Sequence, residues 1–399
     1  MKMKAGWIGT LSMVLLLGIV FSTSAASVPG VTDTEVVIGI TNPLSGPAAL
    51  WGVTAQGAKA WADYVNDKGG VNGRKIKVIL KDDGYNPARA MTNLTEMKGQ
   101  VFAINALLGT AVANATKDFF ADNKIPLITA YANVRIWARL PKDKLKYVFV
   151  SYPDYENEGE YLTTYAFKSL GAKKLAVFYQ NDDYGKEALE GAKLGLSKLP
   201  GKPELAGSVP YEVTERALAT QAQKLKETGA DTLLIYTTMN HGALILKEAA
   251  KIGYKPKVVA CFTLGDPMMY GLAGADVWEG VYPASPANSG VPGEPAVDKV
   301  IEILKKYDPK LAGKEYLAVF GAVSMMHLVE GLKNAGKDLT PEGLIKGMEK
   351  IKNWKPEGIG APVTYSPDRH HGVNGSRIMK AEKGKHTPIT DYMIYKPLF

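Results

Sequence analysis

The residues best equipped for chemistry are hydroxyl, amide and aromatic side chains standing where an apolar run gives way to a loop. In Leu108-Gly109-Thr110-Ala111 a strand meets a helix start, and the Thr110 hydroxyl with free backbone N–H groups would suit a carboxylate or similar anion. The loop from Leu44-Ser45-Gly46-Pro47 to Trp51-Gly52 and the segment Thr129-Ala130-Tyr131-Ala132-Asn133 occupy comparable points. Further along, Asn181-Asp182-Asp183-Tyr184-Gly185, Thr237-Thr238-Met239-Asn240 and Phe262-Thr263 repeat the arrangement. Each has a plainer reading, since a Gly-Thr is commonly a helix cap and a loop tyrosine a lid on the core. Their significance depends on facing one another across a single cleft, because open α/β sheets take ligands at the carboxyl ends of their strands.

Catalytic groupings are poor. There is no Gly-x-Ser-x-Gly elbow, no phosphate-binding Gly-x-x-x-x-Gly-Lys-Ser/Thr loop and no His-Glu-x-x-His helix. The five histidines, His241, His327, His370, His371 and His386, are scattered. His370-His371 follows the turn-like Tyr365-Ser366-Pro367-Asp368-Arg369 and reads more simply as a pair of exposed loop residues than as a metal site. Cys261, the only cysteine, ends an apolar strand and reads as a small buried hydrophobe; alone it forms no intramolecular disulfide and no thiolate cluster. Asp82-Asp83 follows a strand and is suited to orienting loops. No catalytic residue, metal or cofactor is expected, and binding is favoured over turnover.

The elements that would position these loops alternate. Residues 36–40 are continuously apolar, as a buried parallel strand is. From 49 to 66 the period turns helical, with Ala55, Ala58, Trp61, Ala62 and Val65 on one face. Gly69-Gly70-Val71-Asn72-Gly73 ends that helix, strand 75–80 follows, and Asn86-Pro87 opens another helix with a cap and a first-turn proline. Strand 101–107, helix 112–121 and strand 126–129 continue the series. After 147–150 and a tyrosine-rich crossover, Ser151 to Tyr155, the rhythm restarts with strands at 174–179, 206–211, 231–236 and 257–262 and helices at 185–196, 220–228 and 242–251. A proline-rich stretch, 283–295, precedes helices 297–307, 316–334 and 341–350, and strands 376–382 and 389–395 close the chain. Such βα alternation gives parallel sheets covered by helices, here in two α/β lobes.

The chain has 399 residues and a charge of +8; 46% hydrophobic and 22% charged residues exclude wholesale disorder. Lys2 and Lys4, an apolar run from Trp7 to Phe21, and Ser22 to Ala26 form the three parts of a secretory signal with a cut after Ala26. Removing it leaves 373 residues at +6 with no later run long enough to span a bilayer, and no cysteine for lipid attachment follows the apolar run. The spread lysines read as solvated helix faces, which argues against nucleic acid.

The sequence resembles the type I periplasmic substrate-binding proteins of ABC importers, in particular the leucine/isoleucine/valine-binding group. The residues that carry the resemblance are Val37-Ile38-Gly39, Pro43-Leu44-Ser45-Gly46, Gly52, Asn66-x-x-Gly69-Gly70-Val71-Asn72-Gly73, Asp82-Asp83, Pro126-Leu127-Ile128-Thr129 and Asp183-Tyr184-Gly185. It implies two Rossmann-like lobes joined by a three-strand hinge: 27–150 and 283–370 in the first lobe, 151–282 and 371–399 in the second, after a signal at 1–26. It also implies a periplasmic monomer that captures a small carboxylate and presents it to a membrane permease. By similarity the carboxylate meets Thr110 and backbone N–H groups near Tyr131 and Asn133. Trp51 flanks the side-chain pocket, and Tyr184, Thr238 and Phe262 close from the second lobe, with Tyr152, Tyr155 and Tyr316 within reach. Family members that bind α-amino acids place an acid at the strand end matching Phe262; Cys261-Phe262-Thr263-Leu264-Gly265 has none, and Asp266 comes later. Either another acid substitutes, or the ligand lacks an amine and the aromatic residues suit an aromatic carboxylate. An exported ligand sensor and an exported two-lobe hydrolase are the alternatives.

Overall fold

The computed structural model describes Met1, Met3 and residues 28–399. The signal expected over 1–26 lies, those two methionines apart, outside the described residues, among which no helix is long and apolar enough to cross a membrane.

The continuously apolar runs become two sheets whose central strands show no polar face because helices cover both sides. The first contains β1 (Glu35–Asn42), β2 (Lys75–Asp82), β3 (Ala103–Leu108), β4 (Leu127–Tyr131) and β5 (Val148–Phe149), all parallel, in the order β2-β1-β3-β4-β5. The second contains β6 (Leu175–Gln180), β7 (Gly207–Tyr211), β8 (Thr232–Tyr236), β9 (Lys257–Ala260), β10 (Tyr282–Pro286), β11 (Asn374–Glu382), β12 (Lys385–Pro388) and β13 (Met393–Tyr395). Its order is β12-β11-β10-β9-β8-β6-β7, with β13 also on β11; β6 to β10 pair in parallel and β11 runs antiparallel to β10. Each sheet reverses its winding once, between β1 and β3 in the first and between β6 and β8 in the second. Those reversals open a crevice at the strands' carboxyl ends.

Several motif residues serve this frame. Asn66 donates to Ile76 O at 2.8 Å and accepts from Ile76 N at 2.7 Å, tying the end of helix Val53–Asp67 to β2. Asn72, at φ 52°, donates to Leu332 O at 2.8 Å and Gly336 O at 3.1 Å, closing the end of helix Glu315–Ala335. Asn86 accepts from Ala88 N and Arg89 N as the expected cap.

Helix Glu315–Ala335 is buried over most of its length and packs on helix Val53–Asp67 and the first sheet. The two helices approach backbone to backbone: a Cβ on Gly57 would stand 2.0 Å from Ala318 O, and one on Gly321 1.8 Å from Thr54 O. The second lobe repeats the device between helices Tyr155–Lys168 and Asp183–Ser197, where a Cβ on Gly191 would meet Glu156 O at 2.1 Å. The late helices therefore belong to the first lobe, and the chain crosses three times. The crossing segments are bonded to one another: Val150 N to His370 O at 3.0 Å, Gly372 N to Val150 O at 2.7 Å, Ala287 N to Gly375 O at 2.8 Å.

Some expectations change. The second sheet keeps the chain through Pro286 in β10, so the return to the first lobe starts after 286 rather than at 283. Prolines lack the N–H of a ladder and hide such a strand. The expected helix 112–121 is two short ones, Thr110–Thr116 and Phe119–Asp122. Helix Tyr155–Lys168 follows what reads as crossover alone, capped by Asp154 accepting from Asn157 N. His370 and His371 are buried, not exposed: His370 stacks on Phe149 with centroids 3.9 Å apart, and His371 Nε2 bonds Tyr152 O at 2.8 Å.

Gly321→Ala should force the two first-lobe helices apart and cost about 1–3 kcal/mol, as overpacking does. Urea unfolding should show a lower midpoint, whereas Gly99→Ala, whose Cβ meets nothing, should leave it nearly unchanged.

Candidate functional site

Asp82 organises the first-lobe rim. Its carboxylate accepts from Leu44 N at 2.9 Å, Ser45 N at 3.1 Å and Ser45 Oγ at 2.6 Å, which fixes the Leu44–Gly46 turn. Burial pushes its pKa upward, but those bonds, one from Gly84 N and the Arg89 charge hold it below the usual value. Asp83 is fully buried, accepts from Thr41 Oγ1 and Tyr85 N at 2.9 Å each, and burial lifts it to about 6. The pair orients loops, as expected, and one result is Tyr85 held at φ 62°, a strained setting for a bulky residue. Gly109, at φ 107°, passes under that ring; a Cβ there would lie 2.8 Å from Tyr85 Cε2.

The two winding reversals face each other and enclose a cavity of about 40 Å³. Ala48, Trp51, Tyr85, Leu108, Gly109, Thr110 and Tyr131 line it from the first lobe, Tyr152 and Tyr155 from the crossing, and Tyr184, Thr237, Thr238 and Thr263 from the second lobe. Of the residues singled out from sequence, Trp51, Thr110, Tyr131, Tyr152, Tyr155, Tyr184 and Thr238 therefore come together. Asn133, Phe262 and Tyr316 do not reach the cavity. Asn133 is a tie, its N–H donating to Thr110 Oγ1 at 3.1 Å and its amide to Asp183 O at 3.3 Å across the lobes. Phe262 stands behind the wall, with its ring centroid 5.0 Å from Tyr152, 6.5 Å from Trp51 and 6.3 Å from Phe320. Tyr316 donates to Phe262 O at 3.2 Å and holds that segment in place. Tyr85 carries no strand-end signature, and only its Asp-Gly-Tyr context after β2 could have drawn notice.

Among the described residues, no charged side chain lines the cavity. Asp266 does not substitute for the missing acid: it borders a different cavity, of about 370 Å³, beside Glu315 and His386. Burial raises it to about 7. The acid nearest in role is Glu158, which sequence reasoning missed. It is buried behind the aromatic wall, accepting from the Tyr236 hydroxyl, from Phe262 N at 3.3 Å and from Ser376 Oγ at 3.2 Å. Burial raises it to about 7, and its acceptor sites are occupied by protein donors.

Beside the cavity, Arg135 of the first lobe binds Asp154 through Nε at 2.8 Å and Nη2 at 2.9 Å, and Glu156 at 3.0 Å. Glu187 of helix Asp183–Ser197 stands 3.7 Å from Arg135 and 3.1 Å from Arg139. These ion pairs cross from lobe to lobe.

A family profile described as periplasmic binding protein matches residues 35–386, which is most of the chain and spans both lobes. The chain belongs to the periplasmic binding protein family. As the two lobes, three crossings and interlobe cavity require, it is a type I member, a solute-binding protein homologous to the Leu/Ile/Val-binding group. It is 25% identical over 354 residues to a Leu/Ile/Val-binding protein homolog 1 of Brucella abortus, covering 88% of this chain and 91% of that one. A fatty acid ABC transporter substrate-binding protein from Thermomonospora curvata superposes with a TM-score of 0.81 at 26% identity, over 92% of this chain and 94% of that one. A branched-chain amino acid ABC transporter protein from Thermus thermophilus with bound valine gives the same TM-score at 18% identity, over 92% and 98% of the two chains, and shares the fold.

Because folding raises the Glu158 pKa from 4.5 to about 7, its contribution to the periplasmic binding protein's stability is complete below pH 4.5 and lost as pH rises through 7. Relative to Glu158→Gln, the wild type should lose up to about 3 kcal/mol between pH 4.5 and 8. Urea melts of both proteins across that range check it, since Asp83 and Asp266 cancel in the difference.

Proposed function

We propose that this protein captures a small carboxylate without an amine, aromatic in preference, and passes it to the membrane permease of an ABC importer from the periplasm. The observation that carries the ligand class is the uncharged cavity lining. An α-amino acid brings an ammonium, which in a closed site needs a carboxylate or pays a desolvation penalty of roughly several kcal/mol. Glu158 is bonded to protein donors and Asp266 borders a different cavity, and burial pushes both toward the neutral form. A carboxylate is better served, by the Thr110 hydroxyl, whose oxygen accepts from Asn133 N and whose proton is left to donate. Trp51, Tyr85, Tyr131, Tyr152 and Tyr155 give an aromatic ring edge and face partners. That one relative is described as a fatty acid binder and another as a Leu/Ile/Val-binding homolog supports a ligand class that varies over this fold. Membership of two compared structures in ABC transporters supports delivery to a permease. Most of the lining side chains are buried between the two lobes, so uptake requires the lobes to part and reclose.

Protein unfolded and refolded to strip carried ligand should bind benzoate, 4-hydroxybenzoate, phenylpropionate or octanoate by calorimetry, with leucine, isoleucine, valine and phenylalanine silent. Thr110→Val should weaken the bound acid about 10- to 100-fold, the worth of a hydrogen bond to a charged group. Tight binding of an aliphatic amino acid overturns the amine-free reading.

A further inference from the structure

His241 lies outside the cavity, one turn into helix Met239–Lys251, yet it decides what the second-lobe wall offers a ligand. Its Nε2 is 3.0 Å from Glu215 O, and a carbonyl oxygen only accepts, so Nε2 bears the proton. Burial lowers the His241 pKa from its ordinary value, which keeps the ring neutral with a bare Nδ1. Nδ1 is 2.7 Å from Thr238 Oγ1, so the Thr238 hydroxyl must be the donor in that bond. Its single proton is thereby turned away from the cavity it lines. The Thr238 N–H is committed as well, donating to the Tyr211 hydroxyl at 3.1 Å.

Two neighbouring hydroxyls, those of Thr263 and Tyr184, share this polarity, while Thr237 Oγ1 has no protein partner. Thr263 Oγ1 donates to Thr237 O at 2.8 Å. The Tyr184 hydroxyl has Thr237 O at 3.2 Å and Thr263 Oγ1 at 2.8 Å, and with the Thr263 proton already spent, both are its acceptors. Across the cavity Thr110 of the first lobe is the reverse: its Oγ1 accepts from Asn133 N, which leaves its own proton to donate.

We infer that the ligand carries, in addition to its carboxylate, a neutral hydroxyl that donates to Thr238 Oγ1, with His241 as the positioning residue that turns the Thr238 proton away. This rests on the amine-free reading above, because an ammonium would also donate but would need a counter-charge that the lining lacks. It narrows the substrate class to hydroxylated acids, hydroxybenzoates and hydroxyphenyl-alkanoates among them.

The test uses matched pairs in which fluorine replaces hydroxyl at nearly constant size: 3- and 4-hydroxybenzoate against 3- and 4-fluorobenzoate, and 3-(4-hydroxyphenyl)propionate against its 4-fluoro analogue. In the wild type at least one hydroxyl acid should bind tenfold or more tighter than its fluoro partner. His241→Phe keeps a flat ring beside Tyr211 but releases the Thr238 proton, so that preference should fall below threefold while binding of the fluoro acid changes little. Thr238→Val should abolish the preference too. A merely structural role for His241 would weaken both partners alike, and an unchanged ratio in the variant overturns the inference. The ¹⁵N shifts of the wild-type His241 ring give an independent check that needs no variant: a protonated Nε2 is expected, and a protonated Nδ1 overturns it. Equal binding of hydroxyl and fluoro acids sinks the inference alone; binding of amino acids with every acid silent sinks the amine-free reading and the inference with it.

Discussion

The contact on which the architecture depends is the backbone-close packing of helix Glu315–Ala335 on helix Val53–Asp67. It joins chain segments more than 250 residues apart and is the reason the chain must cross between lobes three times. It also sets the aromatic wall, because the turns of the later helix that carry Gly321 also carry Phe320 and Tyr316. Phe320 presses on Trp51 at 5.8 Å and on Tyr131 at 6.0 Å, and Tyr316 holds the backbone of Phe262. A helix displaced by one methyl group would loosen the cavity and the fold together.

Among the described residues the cavity lining carries no charge, and the second lobe shows how its polar groups are oriented instead. Lone pairs and protons are arranged by neighbouring protein groups: Glu215 O sets the tautomer of His241, His241 sets Thr238, and the backbone carbonyl of Thr237, itself a lining residue, sets Tyr184 and Thr263. Such orientation costs no desolvation of a formal charge when the lobes close. It relies instead on donors and acceptors already aimed before the ligand arrives.

The alternation of strands and helices was legible in the sequence because each element carries its own period, and strand ends marked most of the cavity lining. What stayed hidden depends on contacts between distant segments or on backbone that breaks a local rule. β10 escapes notice because Pro283 and Pro286 belong to few central strands. Tyr85 does so because a positive φ at a tyrosine has no sequence signal, and the burial of His370 and His371 because their partners, Phe149 and Tyr152, lie more than 200 residues earlier. Glu158 draws no notice, because its helix is itself unexpected and Tyr236, Phe262 and Ser376 are brought around it from distant segments. The positions of Asn133 and Phe262 show the limit of strand-end reasoning, which finds the rim of a cleft but not which side chains turn into it, and that of Tyr316 shows the same limit for a residue carried over by resemblance.

The Arg135 cluster and the aromatic wall act over different distances. Attraction between opposite charges reaches about 8 Å through physiological salt, whereas ring packing is felt only at contact. Arg135 and Arg139 therefore begin to pull on Glu156 and Glu187 while the lobes are still apart, with Asp154 anchoring Arg135 at the crossing. The approach is indifferent to what lies in the cleft; only the last ångströms, when Tyr184 and Thr238 close on the first lobe, read its shape. Capture range and discrimination are thus assigned to separate parts of one closing motion, and salt acts on the former while leaving the latter untouched.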